Sequence, residues 1–309
     1  MMSNIYNVAI IGAGLMGHGI ALTLARAAHS VIIYDPMEDA RNSVHARIAN
    51  SMDLMGLDPN ETANAIAKVT TRDTIASSVR RADVVFEAAP EKLDLKQSIF
   101  AEIETHAPKT CILASNTSVM PITKIMSQLR HKSRAIGTHW WNPPHMIPLV
   151  EVVNTEWTDP RVADQMMGLL KDVGKTPVLV KKDVPGFIGN RLQHALWREA
   201  ISLVENGICD AQAVDTVVKS SFGRRLSVLG PLENADLVGT DLTLDIHNNV
   251  LFDLESEQKP SSYLEALVEG GKLGMKSGEG FQSWSEAEAA EVRERVANHL
   301  KKLDGILTD

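Results

Sequence analysis

Asn7-Val8-Ala9-Ile10-Ile11-Gly12-Ala13-Gly14-Leu15-Met16-Gly17 is the stretch whose reading decides the fold. An apolar run stops at a glycine turn, and a helical pattern begins inside that turn. Strand, turn and helix therefore follow one another without a linker. Each glycine of Gly12-x-Gly14-x-x-Gly17 has a separate task. Gly12 permits the tight turn, Gly14 lets the backbone approach a pyrophosphate, and Gly17 lets the helix lie close on the strand. The helix start, at Leu15 and Met16, then offers unpaired N–H groups to phosphate. The next apolar run, Val31–Tyr34, ends in Asp35. An acidic residue at that distance binds a ribose 2′-hydroxyl and repels a 2′-phosphate. No arginine follows it directly, so the expected ligand is NAD rather than NADP.

The same texture continues outward. Short apolar runs are expected as strands at Asn7–Ile11, Val31–Tyr34, Lys68–Thr71, Asp83–Glu87, Cys111–Ser115, Arg134–Thr138, Leu149–Val153 and Pro177–Val180. They are continuous rather than alternating, as in strands buried on both faces. Helical patterns lie between them at Leu15–Ala28, Asp39–Leu54, Lys92–His106 and Arg161–Val173. Alternating β and α predicts a doubly wound, mostly parallel sheet. After Val180 the texture changes. Lys181-Lys182-Asp183-Val184-Pro185-Gly186 reads as a junction, Phe187–Asn206 as a long amphipathic helix, and Gly270–Trp284 as a loop. Two domains are expected, residues 1–185 with the sheet and residues 186–309 all helical.

Composition narrows the function classes. The chain has 309 residues, 44% of them hydrophobic, and a net charge of −8. That length exceeds one ordinary core, and the acidic balance disfavours nucleic acid or an anionic membrane as partner. The apolar segment Val8–Ala28 is interrupted by four glycines and His18, with no basic leader before it, so neither a membrane span nor a signal peptide is expected. The two cysteines, Cys111 and Cys209, form no Cys-x-x-Cys pair. No metal site or disulfide is expected, and a reducing cytoplasm fits.

Three further segments carry chemistry-bearing side chains. Ser115-Asn116-Thr117-Ser118 follows the fifth strand, small and rich in hydrogen-bonding groups, and equally suited to cap a helix. His139-Trp140-Trp141-Asn142-Pro143-Pro144-His145 follows the sixth. His139, at a strand end before a proline-stiffened loop, is a candidate general base. If the loop folds back, Glu151 can accept from one ring nitrogen and fix the tautomer. His145 is the competing base. Asn190, in Pro185-Gly186-Phe187-Ile188-Gly189-Asn190-Arg191, falls on the first turn of the long helix. Glu91 and Lys96, beyond the fourth strand, lie where the carboxyl ends of strands line a ligand crevice.

Taken together these motifs resemble the L-3-hydroxyacyl-CoA dehydrogenase family over about residues 4–285, with Lys276-Ser277-Gly278-Glu279-Gly280-Phe281 as a fifth match. The resemblance implies a Rossmann domain, a helical domain that dimerises, and NAD-dependent oxidation of the hydroxyl of a 3-hydroxyacyl-CoA or related β-hydroxy acid. It implies His139 as base, Glu151 as its orienting carboxylate, and Ser118 and Asn190 on the reacting oxygen. Asp35, Glu91, Lys96, Asn116 and Asn142 match cofactor positions.

The departures concern the substrate. Thioester-specific members usually read Phe-Phe-Asn-Pro after the histidine, where this chain has Trp140-Trp141-Asn142-Pro143. They carry lysines where the coenzyme A phosphates lie. Here Ser51–Asp58 has two aspartates, and no cation occurs between Arg47 and Lys68. These features look more like the branch acting on free hydroxy acids, which includes gulonate, carnitine and pyridine-carboxylate dehydrogenases. Arg224 or Arg225 can hold a substrate carboxylate, and Trp140 and Trp141 can line an aromatic pocket. The third alternative is a non-catalytic, NAD-binding protein of crystallin type. A β-hydroxyacid dehydrogenase that uses a lysine on the long helix is disfavoured, since no lysine occurs between Lys182 and Lys219.

Overall fold

The structure is a computed structural model and describes residues 5–307. The outermost residues of both expected domains, 1–4 and 308–309, lie outside the described residues.

Eight strands form one sheet: β1 (Asn7–Ile11), β2 (Ser30–Tyr34), β3 (Val69–Arg72), β4 (Val84–Glu87), β5 (Ile112–Ser115), β6 (Ala135–Trp140), β7 (Leu149–Val153) and β8 (Thr176–Val180). Their order across the sheet is β3-β2-β1-β4-β5-β6-β7-β8. From β3 to β6 every neighbouring pair is parallel, while β7 runs antiparallel to β6 and β8 parallel to β7. The strand order reverses between β1 and β4, the place where open α/β sheets bind ligands beyond the carboxyl ends of their strands.

Helices cover both faces. They are α1 (Leu15–Arg26), α2 (Glu38–Asn42), α3 (Val44–Met55), α4 (Pro59–Ile66), α5 (Ile75–Val79), α6 (Leu93–His106), α7 (Ile122–Ile125) and α8 (Pro160–Asp172). Residues alternate along β1: Val8 and Ile10 join one buried cluster with α1, α3 and α8, and Ala9 and Ile11 join another with α5, α6 and α7. Strands sandwiched in this way must be apolar throughout, hence their continuous runs. Asp58 and Asp159 start α4 and α8 by accepting from Asn60 N and Arg161 N, each with a proline as the first helical residue.

Two expectations are refined. The helix expected over 39–54 is two helices, broken at Ser43, where the Ala40 carbonyl accepts from Ser43 Oγ and the Arg47 guanidinium. The sixth strand runs two residues further than expected, so His139 belongs to β6 itself.

The remaining helices are α9 (Gly189–Glu205), α10 (Ala211–Ser220), α11 (Pro231–Val238), α12 (Thr240–Val250), α13 (Ser262–Glu269) and α14 (Glu286–Leu307). The chain divides into two compact units, Met1–Arg191 with Leu300–Asp309, and Leu192–His299. The division falls six residues beyond the junction at 185. Phe187 is buried in a core cluster of the first unit, and the Ile188 and Gly189 amides bind Glu151 there. The second unit is helical, with the loop 270–284 folded against α9, α10 and α13.

Candidate active site

Antiparallel pairing of β6 and β7 sets His139 directly opposite Glu151. His139 Nδ1 and Glu151 Oε2 lie 2.7 Å apart, and both side chains are buried. The other carboxylate oxygen, Oε1, accepts from the backbone N–H groups of Ile188 and Gly189 at 2.8 and 3.0 Å. Burial alone would raise the Glu151 carboxyl. The hydrogen bonds from His139, Gly189 and Ile188 outweigh it and hold the group below the usual carboxylate range. The imidazole has two aromatic neighbours, Trp141 at 5.2 Å and Phe187 at 5.7 Å between centroids. Phe187 adopts φ +50°, a left-handed conformation unusual for a side chain of this size.

A separate set of polar contacts links Asn190, Ser118, Glu91, Lys96 and Glu87. Asn190 Nδ2 donates to Ser118 O at 2.8 Å, and Ser118 N donates to Glu91 Oε1 at 2.6 Å. Glu91 Oε2 accepts from Thr117 Oγ1 and lies 3.6 Å from Lys96 Nζ. Lys96 itself departs from expectation. It is buried, its ammonium bound to Glu87 Oε1 at 2.7 Å and to Ala89 O, so it ties α6 to the end of β4. Glu87, which sequence reasoning missed as a site residue, is fully buried and also accepts from Ser115 Oγ and Ala89 N. Its signal was its place as the last residue of β4, nine residues before a lysine on the following helix. Among the described residues none of these bonds uses Ser118 Oγ or His139 Nε2.

The glycine turn is built as a cradle. Gly12 has φ +112°, and a Cβ on Gly17 would lie 1.8 Å from the Gly12 carbonyl oxygen. Gly14 is exposed and has nothing within 4 Å of an added Cβ. As N-cap of α1 it supplies no side-chain acceptor, so amides of the first turn are left for a ligand. Exposed Leu15 and half-buried Met16 flank them. Asp35 stands at the end of β2, receiving Ala13 N on Oδ2 and Met37 N on Oδ1. The nearby cations are spent on carbonyls: Arg41 on Asp35 O and Pro36 O, Arg47 on Ala13 O and Ala40 O. An open helix N-terminus with a carboxylate at the second strand's end fits NAD.

The other expected residues are placed as follows. Trp140 is 2% exposed, in edge contact with Phe86 in the core under α1 and α8. Strand alternation sends its side chain away from that of its neighbour His139, so Trp140 is core rather than pocket wall. Asn116 is buried, its Oδ1 accepting from Trp140 N. Asn142 is exposed. His145, the competing base, packs toward His18 of α1. Burial, then His18, Lys175 and Arg26, hold it down to about 4. Arg224 and Arg225 are exposed in the second unit, on a short turn after α10. Among the described residues no group of three or more His, Cys, Asp or Glu can hold a metal ion.

Comparison with known proteins matches residues 7–184 to the NAD binding domain of 3-hydroxyacyl-CoA dehydrogenase and residues 186–284 to its C-terminal domain. The chain belongs to the 3-hydroxyacyl-CoA dehydrogenase family. Like its relatives in that family it is an NAD-dependent dehydrogenase acting on hydroxyl groups. It is 34% identical over 306 residues to the 5-formyl-3-hydroxy-2-methylpyridine 4-carboxylate 5-dehydrogenase of Mesorhizobium japonicum, covering 98% of each chain. A crystal structure of a dehydrogenase of that activity, described as an NAD+ dependent dismutase, superposes with TM-score 0.91 over 99% of both chains at 34% identity. The (S)-3-hydroxybutyryl-CoA dehydrogenase PaaH1 of Ralstonia eutropha matches with TM-score 0.76 at 32% identity, over 91% of this chain and 100% of that one.

Proposed function

We propose that this dehydrogenase oxidises the hydroxyl of a free hydroxy carboxylate rather than of a coenzyme A thioester, with His139 as base. The 2.7 Å contact between His139 Nδ1 and Glu151 Oε2 carries the chemistry. A carboxylate on Nδ1 holds the proton there and makes Nε2 the basic atom. The first turn of α1 and Asp35 would hold NAD, which would supply the acceptor for the hydride leaving the carbinol carbon. The hydroxyl proton passes to Nε2 as the carbonyl forms, and Glu151 stabilises the resulting imidazolium. Ser118 and Asn190 are assigned to the reacting oxygen, Glu91 and Asn142 to the cofactor.

Two observations support the free acid. The end of α3 and the turn into α4 lack any cation between Arg47 and Lys68, and Asp58 there caps α4. The pyridine-carboxylate dehydrogenase matches along almost the whole chain. The same proposal gives Arg224 or Arg225 the substrate carboxylate and places the enzyme in the cytoplasm, consistent with two free cysteines. It also makes the enzyme a homodimer through the helical unit, supported by large apolar side chains such as Leu232 and Phe252, 80% and 81% exposed there.

NAD reduction by the full chain, offered L-3-hydroxybutyryl-CoA beside a panel of free hydroxy acids, tests this. Free acids are expected to turn over and the thioester not; faster turnover of the thioester rejects the substrate assignment. His139→Ala is expected to lower kcat about 10²–10⁴-fold, and an unchanged rate removes His139 as base.

A further inference from the structure

Trp141 holds its place beside His139 only because residue 189 is glycine. The rings of Trp141 and His139 are tilted by 49°. A Cβ added at Gly189 would lie 2.4 Å from Cζ2 of the indole and 3.2 Å from Cη2. Nothing in the backbone at 189 requires glycine, because its φ is not in the left-handed region. The indole of Trp141 therefore accounts for the missing side chain.

Packing does not account for the indole in turn. Its Nε1 is buried with no acceptor among the described residues. A phenyl ring would fill the same space without stranding a donor. Phe187, the other ring beside His139, is such a phenyl and is fully buried. Trp141 is only half-buried, so the protein does not enclose it completely, and its ring lies 5.2 Å from that of the base between centroids.

We infer that Trp141 and Gly189 together set the substrate class: the indole is a stacking wall beside His139, and the site takes a flat, ring-bearing hydroxy carboxylate in preference to a flexible acyl chain. The inference rests on the proposed reading of His139 as the base. A rigid ring loses little freedom on stacking, whereas a chain must order several rotors. An electron-poor ring such as a pyridine gains most from the indole face. Selection of about tenfold is the scale such a contact supplies.

The test compares a hydroxymethyl-substituted pyridine carboxylate with L-3-hydroxybutyrate, using the full chain and NAD. Variants are Trp141→Leu, Trp141→Phe and Gly189→Ala; the last displaces the indole without removing it. The ratio of kcat/KM, ring over chain, is expected to exceed one in the parent. It should fall about tenfold in Trp141→Leu, mainly through KM for the ring compound, fall less in Trp141→Phe, and fall in Gly189→Ala. Binding of pyridine-4-carboxylate, a non-reacting probe, should weaken in the same order. A parent that prefers the chain compound, or a ratio and probe affinity unmoved by all three variants, overturns the inference. If His139→Gln abolishes turnover while the ratio ignores Trp141, the base stands and the wall falls. If nothing is oxidised but the probe binds in a Trp141-dependent way, the wall stands and the base falls.

Discussion

Glu151 shows how one side chain can serve two elements. Its Oε2 takes the imidazole of His139, the proposed base, and its Oε1 takes the two amides at the start of the long helix. Replacing it by glutamine keeps an acceptor for some of these bonds but removes the charge that offsets an imidazolium. Glu151→Gln is expected to lower kcat about 100-fold, with KM for NAD little changed. Steady-state kinetics with carbinol-deuterated substrate checks it, because a slowed chemical step exposes a larger isotope effect. Both members of the dyad were legible in the sequence as residue types at the right places. Their pairing was legible too, conditional on the loop 141–148 folding back; it does so as an antiparallel return, and the strand register sets Glu151 opposite His139. The connection 141–148 is too short for a crossover helix, and a parallel partner would need a dozen or more residues. That length was the available signal. Lys96 and Glu87 were harder. An ammonium buried against a carboxylate has the same sequence signature as an exposed one on a first helical turn, and only the fold turns it inward.

At the scale of elements, the glycine turn was the most legible feature, and its three glycines now separate by consequence. Gly17 is constrained by the protein itself, since a methyl there would overlap the Gly12 carbonyl. Gly14 is constrained only by what binds, because its surroundings are open. Gly17→Ala is expected to lower stability by about 1–3 kcal/mol through a forced separation of α1 from the turn. Gly14→Ala, with an N-cap backbone that any residue adopts, is expected to melt close to the parent temperature yet bind NAD at least tenfold more weakly. Thermal melts beside NAD titrations read both. Equal melting losses in the two variants would mean that Gly14 too is a packing residue. Elements the sequence hid are short or polar: α4 (Pro-Asn-Glu-Thr-Ala-Asn-Ala-Ile) has no apolar stripe and depends on its Asp58 cap, and α7 spans four residues.

For the whole molecule, the sheet domain announces itself because strands buried on both faces must be continuous apolar runs. The helical unit is less self-evident, and its surface explains why. Leu192, Val228, Leu232, Leu237 and Phe252 are each at least 59% exposed. Amphipathic periodicity in such helices reports apolar faces without saying what covers them. A monomer seldom leaves so many large apolar groups in water, and a second copy of the same unit is the proposed cover. Mass action then links folding to association. The melting temperature of the full chain is expected to rise with protein concentration, and sedimentation to show twice the chain mass. Phe252→Glu or Leu232→Glu puts a charge on the exposed face and costs an isolated chain little, since neither side chain is buried. At least one of them is expected to shift the population toward monomer and to abolish the concentration dependence of melting. A parent that sediments as a monomer, with a melting temperature independent of concentration, would leave those faces without a partner of their own kind and end the dimer proposal.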